Sequence, residues 1–186
     1  MSLQVARRHF SVAEYYRMAA AGVLSEEDRV ELIEGEIIEL SPIGSRHAAC
    51  VGRLTKLLER LAGDRAIVWV QNPVRVNDYS EPLPDVTLLK PRADFYAQAN
   101  PQPADVLLII EVADSPVDFD RAIKIPLYAR AGIAEMWLVN VPQEMIEVYT
   151  QPLNDAYQKI EIVKRGESFV AKSIPNLTVD ADAILG

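Results

Sequence analysis

The chain has 186 residues, 49% of them apolar and 25% charged, and its 27 acidic and 19 basic side chains leave a net charge of −8. That balance suits one soluble domain, 1–186, with a sizeable core, and it argues against a protein that grips nucleic acid through a broad basic face. With one cysteine, Cys50, and two histidines, His9 and His47, an internal disulfide and a Cys/His zinc site are excluded. No apolar run approaches the ~18 residues of a membrane span, and no apolar segment follows the two N-terminal arginines, so a cytoplasmic protein without a signal peptide is expected.

Ser11 with Glu14 three residues on reads as a capping box and Gly22 as a C-terminal cap, which predicts a short helix over Ser11–Ala21. A charged connection, Ser25 to Arg29, leads into Val30–Leu40, where Glu34-Gly35 suits a tight hairpin turn. Val30 and Leu32 share one face of its first strand, so Glu31 points away from them or lies in a cleft. Ser41–Ser45 is a loop. From Arg46 to Leu61 the apolar positions Ala48, Val51, Leu54, Leu58 and Leu61 recur at steps of three and four, an amphipathic helix stopped by Gly63. Ile67–Val70 and Pro73–Val76 read as short strands, and Pro82–Leu89 as a proline-marked entry into another, with Asp85 at its start. Pro91–Pro103 is a surface connection.

The stretch Val106–Val141 organises the chain. Val106–Ile110 is an almost unbroken apolar run, the pattern of a strand buried on both faces, and it stops at one carboxylate, Glu111. A polar turn follows, then a helical pattern (Ile123, Leu127, Ala131) ending at Gly132, then a second apolar run, Met136–Val141. Strand, helix, strand predicts a parallel pair joined by a crossover. Pro126 lies inside the helical pattern without an amide to donate, so the helix is kinked there or begins in earnest only near it. Either way, the direction of Lys124 is not readable from periodicity. Beyond Val141, Met145–Tyr149, Gln158–Val163 and Ser168–Ala171 read as smaller strands and Ile174–Gly186 as a turn and tail. The expected class is mixed α/β (α+β), with no repeat or linker that would divide it.

Ligands of open α/β sheets gather outside the carboxyl ends of strands, where Glu111 is expected. Asp85 and Glu111 each mark the polar boundary of a core strand. If those strands are neighbours, the two carboxylates converge on one hard cation such as Mg²⁺, which leaves its remaining positions to water and phosphate. A backbone carbonyl beside Glu111, such as that of Val112, can complete the set. Lys124 would supply positive charge for a phosphate oxygen or an attacking water, and Glu31 a further ligand or a hold on a metal-bound water. Together they describe metal-assisted phosphodiester hydrolysis.

Each residue also has a plainer reading. Asp85 can be a turn or cap residue after a proline, and Lys124 can pair with Asp120 four residues before it. Glu31 and Glu34 can be solvated hairpin residues. His47 can contact phosphate or be a satisfied surface histidine. Tyr128 reads as packing, and Asp118 and Asp120 as partners of a helix N-terminus. Glu111 is the sharper case, because a carboxylate ending a buried run is costly unless it is paired or binds metal.

An ordered series of pieces runs through the chain. It begins with Glu31-Leu32-Ile33-Glu34-Gly35-Glu36, then Ser41-Pro42 with His47 shortly after, then Pro84-Asp85-Val86. Glu111-Val112-Ala113-Asp114-Ser115 follows, and the last piece runs from Asp120-Arg121 through Lys124, Leu127-Tyr128-Ala129 and Ala131-Gly132-Ile133 to Glu135-Met136-Trp137. Taken together, over Phe10–Val141, they resemble the Uma-type restriction-endonuclease-like family of the PD-(D/E)XK nuclease superfamily. The resemblance implies a restriction-endonuclease-like core, a mixed four-stranded central sheet flanked by helices, with extra C-terminal strands. It implies Asp85 and Glu111 as metal ligands and Glu31 as the acid ahead of them. The superfamily's lysine normally lies two residues after the second acid, a place held here by Ala113, and Lys124 is its match on the following helix. Met136-Trp137 stands where the family usually has an aromatic pair, and Asn140 where it usually has Asp.

The expectation is an endonuclease that hydrolyses DNA with Mg²⁺ or Mn²⁺ and pairs as a homodimer where both strands are cut. Its working residues would be Glu31, Asp85, Glu111 and Lys124. The rival is a nuclease-fold module that acts by binding nucleic acid or protein. The low positive charge and the lack of a basic, aromatic-interleaved segment favour that rival, while retention of the three core site residues favours the enzyme.

Overall fold

The computed structural model describes residues 7–25, 27–114 and 119–186, so Ser115 and Asp118 lie outside the described residues. Local signals set the first elements. Glu14 N–H donates to Ser11 Oγ at 3.3 Å and Ser11 N–H donates back to Glu14 Oε2 at 2.9 Å, closing the capping box that starts α1 (Val12–Ala20). The hairpin pairs β1 (Val30–Ile33) with β2 (Glu36–Glu39) and turns at Glu34 (φ 51°) and Gly35 (φ 82°). A side chain at Gly35 is excluded twice, by that positive φ and because its Cβ would come 2.5 Å from His9 Cβ. Helix α2 (Ser45–Ala62) buries Cys50, Val51, Leu54, Leu57, Leu58 and Ala62. The apolar stripe is therefore rotated from the expected one, with Ala48 exposed and Cys50 and Leu57 inside.

Six strands form the central sheet, in the order β3 (Ile67–Val70), β4 (Val86–Leu89), β5 (Val106–Ala113), β6 (Glu135–Asn140), β7 (Met145–Leu153), β8 (Ala156–Lys164). Strands β5 and β6 are parallel and every other neighbouring pair is antiparallel, so the sheet is mixed and helices flank it. The four strands implied by the resemblance correspond to β3–β6, and the C-terminal β7 and β8 extend that same sheet.

The two faces of β5 serve different neighbours. Leu108, Ile110 and Val112 pack with Leu54 and Leu58 of α2 and with Trp137 of β6. Ile109 and Ala113 pack on the opposite face, with Leu127 and Tyr128 of α3 (Ile125–Arg130). Side chains alternate along a strand, so Glu111, between Ile109 and Ala113 in that series, faces α3. Residues Asp120–Lys124 make a π-helical turn, and the regular helix begins only at Ile125. The helical backbone runs unbroken through Lys124 and Ile125, so Pro126 lies inside a continuous helix and its missing amide falls just after the change of pitch.

Three expectations are corrected. Glu111 does not end its strand: the pairings Val112↔Val139 and Ala113↔Asn140 carry β5 two residues further. Pro73–Val76 forms no strand, because the amides of Val74, Arg75 and Val76 bond separate carbonyls, those of Pro82, Pro101 and Ser80. Ile174–Gly186 is not a loose tail. There β10 (Thr178–Asp180) pairs with β9 (Ser168–Val170), α4 (Ala181–Leu185) follows, and Ile174, Leu177, Val179 and Ile184 enter the core shared with α2. Among the described residues no helix is long and apolar enough to cross a membrane.

Candidate active site

A cleft of about 770 Å³ lies between the β1–β2 hairpin, the start of α2, the entry to β4, the end of β5 and the π-helical turn. Each of these elements delivers one side chain that matters. β1 brings Glu31, whose side chain is fully buried; the alternation Glu31/Leu32 puts Leu32 into the core and Glu31 into the cleft wall. β5 brings Glu111, 3% exposed, and the π-helical turn ends on Lys124, 6% exposed. Asp85 precedes the first residue of β4 and is partly exposed.

Lys124 joins the first two. Its Nζ lies 3.2 Å from Glu31 Oε1 and 3.3 Å from Glu111 Oε1. The contact to Glu31 Oε1 is Coulombic rather than an aligned hydrogen bond, since that oxygen is buried without a hydrogen-bond partner. Glu31 Oε2 is fixed from the other side by the Leu83 N–H at 3.0 Å. The alternative partner for Lys124, Asp120, is not among its ion pairs. Glu31 is no solvated hairpin residue, whereas Glu34 is exposed and pairs with Arg130.

Asp85 is held by donors. The Val112 N–H reaches its Oδ2 at 2.9 Å, His47 Nε2 lies 3.0 Å from the same oxygen, and Gln71 Nε2 donates to Oδ1 at 3.3 Å. Val112 enters the site through its amide, which ties Asp85 to the strand that carries Glu111. The structure thus brings Glu31, Asp85, Glu111, Lys124 and the Val112 backbone to one cleft.

Three further residues belong to it. Tyr128, read from the sequence as packing, is fully buried and donates its hydroxyl to Glu111 Oε1 at 2.6 Å. Its spacing of four from Lys124 was the available signal. His47 is bonded to Asp85 rather than solvated. Asp120 lines the cleft wall instead of serving only a helix end.

One ammonium faces two buried carboxyl groups. Burial pushes the Glu111 carboxyl up to about 8, against the opposing pull of Lys124. Burial also works against the Lys124 ammonium, but Glu111, Glu31, Asp120 and Asp85 outweigh it and hold its pKa above the ordinary lysine value. Burial likewise raises Asp120, and the Asp85 hydrogen bond raises His47. A hard cation would take the place of the proton that burial otherwise holds on Glu111. Among the described residues, no three His, Cys, Asp or Glu side chains cluster tightly enough to enclose a metal by themselves. The donors fit an ion of the Mg²⁺ kind, which takes one or two carboxylates and keeps its waters, and not a caged one.

The family model described as "Uma2: Putative restriction endonuclease" matches residues 12–182. A solved structure from Anabaena variabilis, described as "a putative nuclease belonging to DUF820", has the same fold, with a TM-score of 0.74 at 17% identity, covering 95% of this chain and 97% of that one. No curated protein matches the chain.

Proposed function

The chain belongs to the Uma2 restriction-endonuclease-like family, and from that premise we propose that it is a divalent-metal-dependent endonuclease hydrolysing phosphodiester bonds of DNA with Mg²⁺ or Mn²⁺. The observation that carries this reading is the convergence of Asp85, Glu111 and a charge-locked Lys124 on one acidic cleft. Asp85 and Glu111 would hold the cation, with the Val112 carbonyl completing the protein's share. Bound there, such an ion polarises a phosphoryl oxygen and lowers the pKa of its water, which is the chemistry hydrolysis requires.

The chain's own groups do the rest. The Val112 N–H and His47 fix the plane of the Asp85 carboxylate. Glu31, itself anchored by the Leu83 amide, holds the Lys124 ammonium beside Glu111. A positive charge there faces the phosphate oxygens where negative charge builds in the transition state, without needing to reorganise. The lysine therefore serves from the π-helical turn before α3 what the superfamily usually places on the strand.

One observation favours a second reading. Arg29 and Lys124 are the only Lys or Arg residues lining the cleft among the described residues, and Lys124 is already paired. Few cations are left to track a phosphate backbone, which suits a nuclease-fold module that binds protein or nucleic acid without cutting.

Cleavage of supercoiled plasmid and of single-stranded DNA, with Mg²⁺ or Mn²⁺, separates the two. The nuclease reading expects cutting by the wild type and none by Asp85→Ala or Lys124→Ala that remain folded. Cutting that survives Asp85→Ala points to a contaminant and removes the proposed site. No cutting by the wild type, together with no metal binding, leaves the binding module. A homodimer in sedimentation would fit cutting of both strands.

A further inference from the structure

Glu111 has two oxygens, and the fold treats them differently. Oε1 receives the Tyr128 hydroxyl at 2.6 Å and lies 3.3 Å from Lys124 Nζ. Oε2 accepts no hydrogen bond from any described residue, and it is absent from the buried atoms that lack a partner. One oxygen is therefore saturated from the α3 side, and the other is left for the cleft that Glu111 lines.

Tyr128 is well placed to enforce this. It is fully buried, on the first full turn of α3, where Leu127, Ala129 and Ile133 pack around the same face of the sheet. A ring packed on all sides has little rotamer freedom, so its hydroxyl is a fixed donor. Lys124, four residues earlier, approaches the same oxygen, and the two form a grip supplied by one short helical segment. A carboxylate on a strand has a rotatable χ angle before its head group. Donors at one oxygen remove that rotation and decide which lone pairs meet a ligand.

We propose that Tyr128 is a positioning residue for the nuclease site: its hydroxyl clamps Glu111 Oε1 so that Oε2 is presented to the divalent cation. This rests on the metal-dependent reading above. Outer-shell donors of this kind are worth about 10- to 100-fold in metal affinity or activity when removed. The clamp acts on the metal and not on phosphate, so its loss should raise the metal concentration needed for half-maximal cleavage and leave the rate at saturating metal largely intact.

The experiment titrates Mn²⁺ into wild type, Tyr128→Phe and Tyr157→Phe, reading binding by calorimetry and then cleavage against metal concentration. Tyr157 is a matched control: its buried hydroxyl donates to the Ile133 carbonyl at 2.9 Å and does not touch Glu111. The expected result is Mn²⁺ binding weaker by about 10-fold or more in Tyr128→Phe only. Equal affinity in wild type and Tyr128→Phe overturns the clamp and leaves the metal site standing. A wild type that binds no Mn²⁺ overturns the metal reading and the clamp with it.

A second measurement needs no variant, so it decides the matter if Tyr128→Phe does not fold. In wild-type protein labelled at tyrosine Cζ, one carbon signal should move on adding Mg²⁺, with the midpoint of metal binding. A spectrum in which no tyrosine signal moves, with Mg²⁺ bound, overturns the proposal.

Discussion

Replacing Lys124 by methionine keeps most of the length of the side chain and deletes its charge. In the native protein that ammonium lies 3.2 Å from Glu31 and 3.3 Å from Glu111, with all three side chains nearly inaccessible. At an effective dielectric of ~20 each pair is worth about 5 kcal/mol of gross attraction. Desolvation of the three charges offsets much of it, and removing one partner of a buried pair costs about 3–5 kcal/mol because the remaining charge is stranded. Lys124→Met strands Glu31 and leaves Glu111 to take a proton, so a loss within that range is expected in metal-free buffer. Urea unfolding followed by circular dichroism, in chelator, measures it. Adding Glu31→Gln to Lys124→Met should cost less than the sum of the single changes, because the second substitution removes the stranded charge. Mg²⁺ should return part of the loss, since the cation would bind the native state of the variant where the ammonium is missing. A loss below about 1 kcal/mol would mean that the ammonium behaves as an exposed pair does, and the account of a charge-locked lysine would be refuted.

Three other outcomes follow from features away from the cleft. Glu135 is fully buried and accepts from Trp137 Nε1 at 2.8 Å and from the amides of Lys172 and Ser173 at 2.7 Å each; Glu135→Ala should cost roughly 3–5 kcal/mol through orphaned donors and speed amide exchange at those two residues. Cys50 is buried and its thiol is pushed up to about 11, so the folded state resists ionisation. Stability should be intact below the unfolded thiol pKa near 9 and fall by up to about 3 kcal/mol from this group as pH rises toward 11, a slope that Cys50→Ala reduces in pH-dependent urea unfolding. Gly35→Ala places a methyl group 2.5 Å from His9 Cβ at a φ of 82° and should lower the unfolding free energy by about 1–3 kcal/mol, while Gly52→Ala, in open space on α2, should not lower it.

What the sequence revealed was mostly what neighbouring residues decide. Ser11 and Glu14 bond each other, and Glu34-Gly35 turns on its own φ preferences, so both were readable from a few letters. Glu111 was visible because a carboxylate interrupts the apolar run of a core strand. Its exact place was not, because the length of β5 depends on pairing with β6, whose residues lie more than twenty positions on. The aim of Lys124 was hidden for a related reason. A π-helical turn ends on it, and that local change of pitch rotates every side chain after it relative to a regular helix. Tyr128 looked like packing because it is packing; its hydroxyl's partner comes from another element. The C-terminal strand and helix were missed because β10 and α4 are short and acquire order only against β9 and α2.

The separation of acid and lysine onto β5 and the π-helical turn before α3 has a consequence for how such a site can drift. On a shared strand, a one-residue slip in register turns both groups to the wrong face together. Here a slip of β5 would misplace Glu111 and not Lys124, and a change of pitch in the turn before α3 would misplace Lys124 and not Glu111. The two halves can therefore be tuned by separate substitutions.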